Sequence, residues 1–222
     1  MWRDRSSSTR PRRSWNKPDH FVAFRITNTK ILKEMEETQK SMASKKPSII
    51  NAMTSVHKAH ITLMVMSLTS DHEKQRAKDA LHFCASRLQS GCRNKPIVLD
   101  IAEMGNFNNR VVFAKIHAAD ETPEDILQHV HGVVQDSFGE YGIYTTDSRP
   151  DFNPHLTIGK GEHMERSLYE DRVDNFFGRE VVTSVQLCAM EMTGDKCYYK
   201  VLHQVQFVSD PHALFTSSTD KK

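Results

Sequence analysis

One motif occurs twice in this chain, and it constrains the fold more than any other feature. Ala59-His60-Ile61-Thr62-Leu63-Met64-Val65-Met66 returns ninety-five positions later as Pro154-His155-Leu156-Thr157-Ile158. Both stretches read as strands, in which successive side chains point to opposite faces. His60, Thr62, Met64 and Met66 are expected on one face of the first, with Ile61, Leu63 and Val65 on the other. The second copy repeats the arrangement, with His155 and Thr157 facing one way and Leu156 and Ile158 the core. Among twelve histidines, about two His-x-Ser/Thr triplets arise by accident. Context gives these two their weight: both third residues are Thr, both motifs carry large aliphatics at the second and fourth positions, and both sit inside a longer repeat.

That repeat is legible as an order of elements. Phe21 to Ile26 is a run of strand formers, followed by a helix with Ile31, Leu32, Met35 and Met42 on one stripe and Pro47 as its stop. A helical turn around Ser48–Met53 leads into the first motif strand. Ser70 and Glu73 then form a capping box, and Ala77, Ala80, Leu81, Cys84 and Leu88 keep helical spacing as far as Gly91. A strand is expected from Pro96 to Ile101, then a loop over Glu103–Asn109 with turn chemistry around Phe107. The order starts again with a strand from Arg110 to His117. A helix begins near Thr122-Pro123, with Ile126, Leu127, Val130, Val134 and Phe138 as its apolar stripe. The loop Thr145–Asn153 precedes the second motif strand, Ser167 and Glu170 form a possible capping box for a helix ending at Phe176, Phe177 and Gly178, and strands over Val181–Met192 and Tyr198–Val208 close the chain. Strand, helix, motif strand, helix, strand therefore occurs twice. An approximate two-fold would place both motifs across one cleft.

A chain of 222 residues is long enough for one sizeable domain or two half-domains sharing a core. With no long apolar run and no charged-then-apolar leader, an intracellular protein of cytoplasm or nucleus is expected, with no membrane contact. The four cysteines show no CxxC pair, and free thiols are the default reading. His57/His60 and His129/His131 lack the neighbours of a metal-ligand pattern, so neither metal nor cofactor is expected. Residues 1–18 hold six basic residues and one acidic, +5, which leaves −3 on residues 19–222 of a chain whose net charge is +2. A mildly acidic body favours a nucleotide or short strand over a long duplex, whose binding rests on phosphate neutralisation. The Arg-, Ser- and Pro-rich stretch 1–18 has too little apolar content to offset the entropy of ordering and reads as a flexible basic tail. Either a solvated lead or an arm for nuclear targeting or RNA contact fits it. Residues 209–222 read as a polar tail.

Two facing imidazoles suit proton transfer in both directions near neutral pH, since an unperturbed histidine titrates around pH 6.5. One can take a proton from water or a ribose hydroxyl while the other gives one to the leaving oxygen. Two threonine hydroxyls can donate to the non-bridging oxygens of a phosphate, where charge builds in the transition state. The chemistry suits phosphodiesters beside a ribose hydroxyl, such as a 2′,3′-cyclic phosphate or a 2′,5′ linkage. His60 and His155 are the candidate acid/base pair, in either order, and Thr62 and Thr157 the candidate phosphate contacts.

His60-Ile61-Thr62-Leu63 and His155-Leu156-Thr157-Ile158 resemble the paired motifs of the 2H phosphoesterases, bilobal enzymes acting at the 2′ position of RNA ends and nucleotides. Phe21–Thr27, Gly105–Val111, Pro154–Thr157, Leu168–Glu170 and Leu187–Met190 extend the likeness to the phosphoesterase domain of the nuclear A-kinase anchoring proteins and their leukocyte-receptor-cluster relatives. The resemblance covers about residues 18–208. It implies an α+β, pseudo-two-fold fold in which two antiparallel-rich sheets flank a central cleft with helices outside. Residues 19–208 would form that domain, with lobes at about 19–101 and 110–208. It also implies metal-free hydrolysis of either 2′,3′-cyclic phosphates or 2′,5′-oligoadenylates. The anchoring proteins dock a kinase regulatory subunit through an amphipathic helix, and residues 209–222 show no apolar stripe, so that partner is not expected. A monomer acting on a nucleotide, short RNA or oligoadenylate is.

Three further residues are candidates for substrate contact. Phe107 either stacks on a base from its Gly/Asn loop or anchors that loop by packing. Arg149 either contacts phosphate or is a solvated charge. Tyr198 and Tyr199 alternate in an expected strand, so that one reaches the cleft and the other the core. The rival to an enzyme is a binding or scaffold module that holds AMP-like ligands in the same cleft without turnover. A binding-only site has little need of both histidines.

Overall fold

The computed structural model describes residues 17–119, 122–149, 151–191, 194 and 196–208. Residues 1–16 of the expected tail at 1–18, the expected tail at 209–222 and most of the expected turn at 193–195 lie outside them. β1 (His20–Arg25) is buried along all but its last residue, as a strand flanked on both sides should be. α1 (Thr29–Lys45) starts at Asn28, whose side chain accepts from the Lys30 N–H, and buries Ile31, Met35, Thr38 and Met42 along one stripe. Its first turn is also held from far away in sequence. The buried Glu180 carboxylate accepts from Thr27 N, Thr27 Oγ1 and Asn28 N at 3.1, 2.9 and 3.0 Å, placing negative charge where the helix dipole favours it.

A 3₁₀ turn over Pro47–Ala52 leads to β2 (His60–Met66) and then α2 (Asp71–Gly91), where Ser70 and Glu73 form both bonds of the expected capping box. The remaining elements are β3 (Ile97–Phe107), β4 (Val111–Ala118), α3 (Ile126–Glu140), β5 (His155–Lys160), β6 (Phe176–Val182), β7 (Ser184–Ala189) and β8 (Lys200–Gln206). The strands form one antiparallel sheet in the order β6-β3-β4-β5-β2-β1-β7-β8. Its two four-stranded halves meet at a single pair, Ile61 opposite Leu156, between β2 and β5. α1 packs on β5 and β6, α2 on β7 and β8, and α3 on β2 and α2. This is the expected α+β fold with helices outside. No helix among the described residues is long and apolar enough to cross a membrane.

Strand pairing regroups the sequence repeat. β3, expected with the first lobe, pairs with β4 through the three-residue connection Asn108–Arg110, because a hairpin is the cheapest closure available to it. Asn108 and Asn109 take φ of +52° and +54°, a region asparagine tolerates better than most residues. The expected loop over 103–109 is therefore mostly strand, and Phe107 pairs with Val111 at its end. β7 and β8 return to the other half, beside β1. Only Thr183 separates β6 from β7, so one extended segment reaches from one flank of the sheet toward the other, which must curl to allow it.

The helix expected from Ser167 to Gly178 is replaced by 3₁₀ turns at Arg166–Leu168 and Glu170–Arg172 and by the start of β6. Two carbonyls explain the difference. Val173 and Asn175 accept from Met104 and Glu103 of β3, both at 2.7 Å, and a helix running through them would turn those carbonyls inward.

Candidate active site

Each motif strand carries the same irregularity one residue past its threonine. β1 pairs Ala23 with Thr62 but Val22 with Met64, leaving Leu63 without a counterpart. β4 pairs Phe113 with Thr157 but Val112 with Gly159, skipping Ile158. A bulge flips the faces beyond it. Met64 and Met66 therefore join Ile61 and Leu63 in the core, and Val65 turns to the open face beside Phe21, Ala23 and Cys188. The expected alternation holds for His60 through Leu63 and fails after them.

Counting outward from the Ile61–Leu156 pair sets His60 beside Thr157 and Thr62 beside His155 on one face. The two histidines lie on the diagonal of that ladder, a separation on the order of 7–8 Å. All four side chains are half-buried. Both rings are fixed alike. His60 Nδ1 bonds the Lys58 carbonyl and His155 Nδ1 the Asn153 carbonyl, each at 2.7 Å. A carbonyl only accepts, so Nδ1 carries the hydrogen in both, and Nε2 is left as the atom that takes or gives a proton. Burial holds His60 below the ordinary imidazole range; the Lys58 carbonyl works against this and His155 with it. Burial also lowers His155, opposed by its Asn153 bond and assisted by the Arg149 charge.

Aromatic rings wall each histidine. Phe21 and Tyr199 lie 4.8 and 5.3 Å from the His60 ring centre. Phe107 and Phe113 lie 5.1 and 5.4 Å from that of His155, and stack on each other at 4.2 Å. Gly105 makes that stack feasible, because a Cβ there would meet the Phe113 ring at 2.5 Å. Phe107 is thus beside the histidine, held as a packed ring and not on a free loop.

Arg149 borders a pocket that opens beside Thr62 and His155 and is walled by His131, Gln135, Asp147 and Phe152. Asp147 grips its guanidinium at 2.6–3.0 Å, and that bond holds the Asp147 carboxyl below the usual carboxylate range. Tyr198 and Tyr199 precede β8, and both join the apolar cluster around Phe21. The expected split between cleft and core does not occur. Tyr199 edges His60, while the Tyr198 ring lies under the Arg25 guanidinium at 4.3 Å.

Arg25 and Lys115, which no motif in the sequence marks, pair directly with His60 and His155 across the ladder. Only register reveals them. Lys115 bonds Glu103 at 2.6 Å, so the two cations at equivalent positions have different partners: an aromatic face in one half, a carboxylate in the other.

Comparison with known proteins gives a consistent answer. The family model described as the AKAP7 2'5' RNA ligase-like domain matches residues 18–207. Human A-kinase anchor protein 7 isoform gamma is 28% identical over 198 residues, 84% of this chain and 56% of that protein, so the chain spans about half of its length. Among solved structures, E. coli LigT complexed with 3'-AMP superposes with a TM-score of 0.57 at 17% identity, covering 88% of this chain and all of that one. TT0787 of Thermus thermophilus reaches 0.59 at 19% identity over 85% of this chain and 97% of its own. At such identities the structural likeness speaks for the fold.

Proposed function

This chain belongs to the family of the AKAP7 2'5' RNA ligase-like domain, among the 2H phosphoesterases, and from that premise we propose that it hydrolyses ribose 2′-phosphodiesters by paired-histidine acid/base catalysis. The substrates are nucleoside or RNA 2′,3′-cyclic phosphates, or 2′,5′-linked oligoadenylates. One observation carries the reading: both imidazoles spend Nδ1 on a backbone carbonyl and keep Nε2 for chemistry on either side of one seam.

With a phosphate seated over that seam, Nε2 of one histidine removes a proton from water. The resulting oxygen forms its bond to phosphorus as the bond to the ribose oxygen breaks, and the other histidine, protonated, hands its proton to that oxygen. The products are a phosphomonoester and a free ribose hydroxyl. Both rings on their own favour the neutral form, and the negative phosphate supplies the charge that favours protonating one of them. Thr62 and Thr157 donate to the non-bridging oxygens, where charge grows. Phe107 offers a face or edge to a base, and Arg149 a phosphate contact if it exchanges Asp147 for substrate. Tyr198 acts through Arg25, which its ring supports. The histidines and threonines provide acid, base and anion contacts among themselves, so the reaction should run in EDTA. The 3'-AMP of the LigT complex is a nucleotide of the kind proposed for this chain, which is taken to work as a monomer without a kinase subunit.

The test offers a 2′,3′-cyclic nucleotide and a 2′,5′-adenylate side by side in EDTA and identifies the product, a 2′- or 3′-phosphate from the first and a 2′- or 5′-phosphate from the second. Turnover lost in His60→Ala and in His155→Ala is the expected result. Nucleotide binding without turnover by the wild type would favour the scaffold reading.

A further inference from the structure

A second histidine pair closes the outer side of the half that carries His60. His82 lies on α2 and His203 on β8, and their Nε2 atoms are 2.6 Å apart. The ring centres are 4.5 Å apart with planes inclined at 54°. Since the centres lie well beyond the nitrogens, the rings converge through Nε2 and do not stack. Such a pair holds one hydrogen between two lone-pair sites: one ring donates and the other accepts. His82 is exposed and His203 half-buried, so solvent reaches the nitrogens. Lys78 and Asp79, on the same helix, place one charge of each sign near His203.

We propose that His82 and His203 form a two-histidine site for a transition cation of the Zn²⁺, Ni²⁺ or Cu²⁺ type, separate from the proposed catalytic pair. Neutral imidazole Nε2 is a preferred ligand for these ions. Two Zn–N bonds of about 2.0–2.1 Å at a tetrahedral angle set the nitrogens roughly 3.3 Å apart, a small opening of two rings near the surface. The cation takes the place of the shared hydrogen, which moves to Nδ1 of the ring that donated it, so no proton leaves the pair when both rings are neutral. Among the described residues no group of three or more His, Cys, Asp or Glu could hold a metal, so water fills the remaining positions. The cation would clamp α2 to the edge strand β8, on the far side of the sheet half that presents Tyr199 to His60.

Calorimetric titration of the full chain with Zn²⁺ tests the site, with His82→Gln, His203→Gln and the double variant His60→Ala/His155→Ala in parallel. Circular dichroism confirms that each is folded. The expected result is one binding event in the wild type and in the His60/His155 variant, weakened at least tenfold in both His82→Gln and His203→Gln. A wild type that binds no Zn²⁺, affinity unchanged in either glutamine variant, or binding lost only in the His60/His155 variant would each overturn the proposal.

Discussion

The two halves of the sheet share a backbone plan and differ in what surrounds it. Each has a histidine tied by Nδ1 to the carbonyl two residues earlier, a threonine two residues later, a bulge after that, and a cation opposite the histidine on the adjoining strand. Around His60 the walls are Phe21 and Tyr199, backed by Cys188 and by Tyr198 under Arg25. Around His155 they are the Phe107–Phe113 stack on one side and a polar pocket with the Asp147–Arg149 pair on the other. What is common to the halves is what the proposed chemistry would require; what differs is where a substrate would be told from its neighbours. The duplicated part should therefore govern turnover, and the dissimilar part affinity and selectivity.

The strongest way to break this equivalence is to remove one ring at a time. His60→Ala and His155→Ala should each lower kcat by about 10²–10⁴-fold, the usual worth of a general acid or base, measured on the better of the two substrates in EDTA. Near-full activity in one variant alone would make the halves unequal in mechanism. Thr62→Val and Thr157→Val come next, with losses of about 10²–10³-fold in kcat if each donates to the growing phosphate charge. A rise in KM at constant kcat would instead mark ground-state binding.

The aromatic walls should sharpen the contrast. Phe107→Ala removes a ring worth about 1–3 kcal/mol if a base stacks there, read as a rise in KM on the substrate that uses it, with Tyr199→Ala as the counterpart on the His60 side. A change confined to one variant would say which half holds the base. Gly105→Ala should act more mildly through the same wall, because the new Cβ must displace the Phe113 ring; its effect should fall on KM and vanish in a Phe113→Leu background.

The smallest effect is in stability against pH. His60 and His155 both titrate below the ordinary value of 6.5 because they are buried. Above that pH both are neutral folded or unfolded, and they add no pH dependence. As pH falls below 6.5 the unfolded chain binds protons that the folded sites refuse, so stability should fall over the window between 6.5 and the folded values. Denaturation midpoints across pH 5–7 check this, and replacing both histidines by Asn should flatten the slope.

The sequence disclosed the motif strands and the first half's helices because those signals are local. A period of two set His60 and Thr62 on one face, and Ser70 with Glu73 announced the start of α2. The bulges at Leu63 and Ile158 were hidden, since a bulge exists only relative to a partner strand. For the same reason nothing local marks Arg25 or Lys115, and a strict period of two puts Met64 on the wrong face. Strand alternation offers Tyr198 and Tyr199 as a pair without telling them apart, because Tyr199 reaches His60 from an irregular stretch before β8, where no periodicity applies. The helix expected from Ser167 to Gly178 lost to two hydrogen bonds from β3, a competition between segments some seventy positions apart.

The central claim is that His60 and His155 act on one phosphorus. A crystal structure of the protein with a nucleoside 2′- or 3′-monophosphate measures this most directly. The account predicts both Nε2 atoms within about 2.6–3.2 Å of oxygens on the same phosphate, with Thr62 and Thr157 on its remaining oxygens. A phosphate bound to one histidine alone, with the other ring turned away or out of reach, would contradict it.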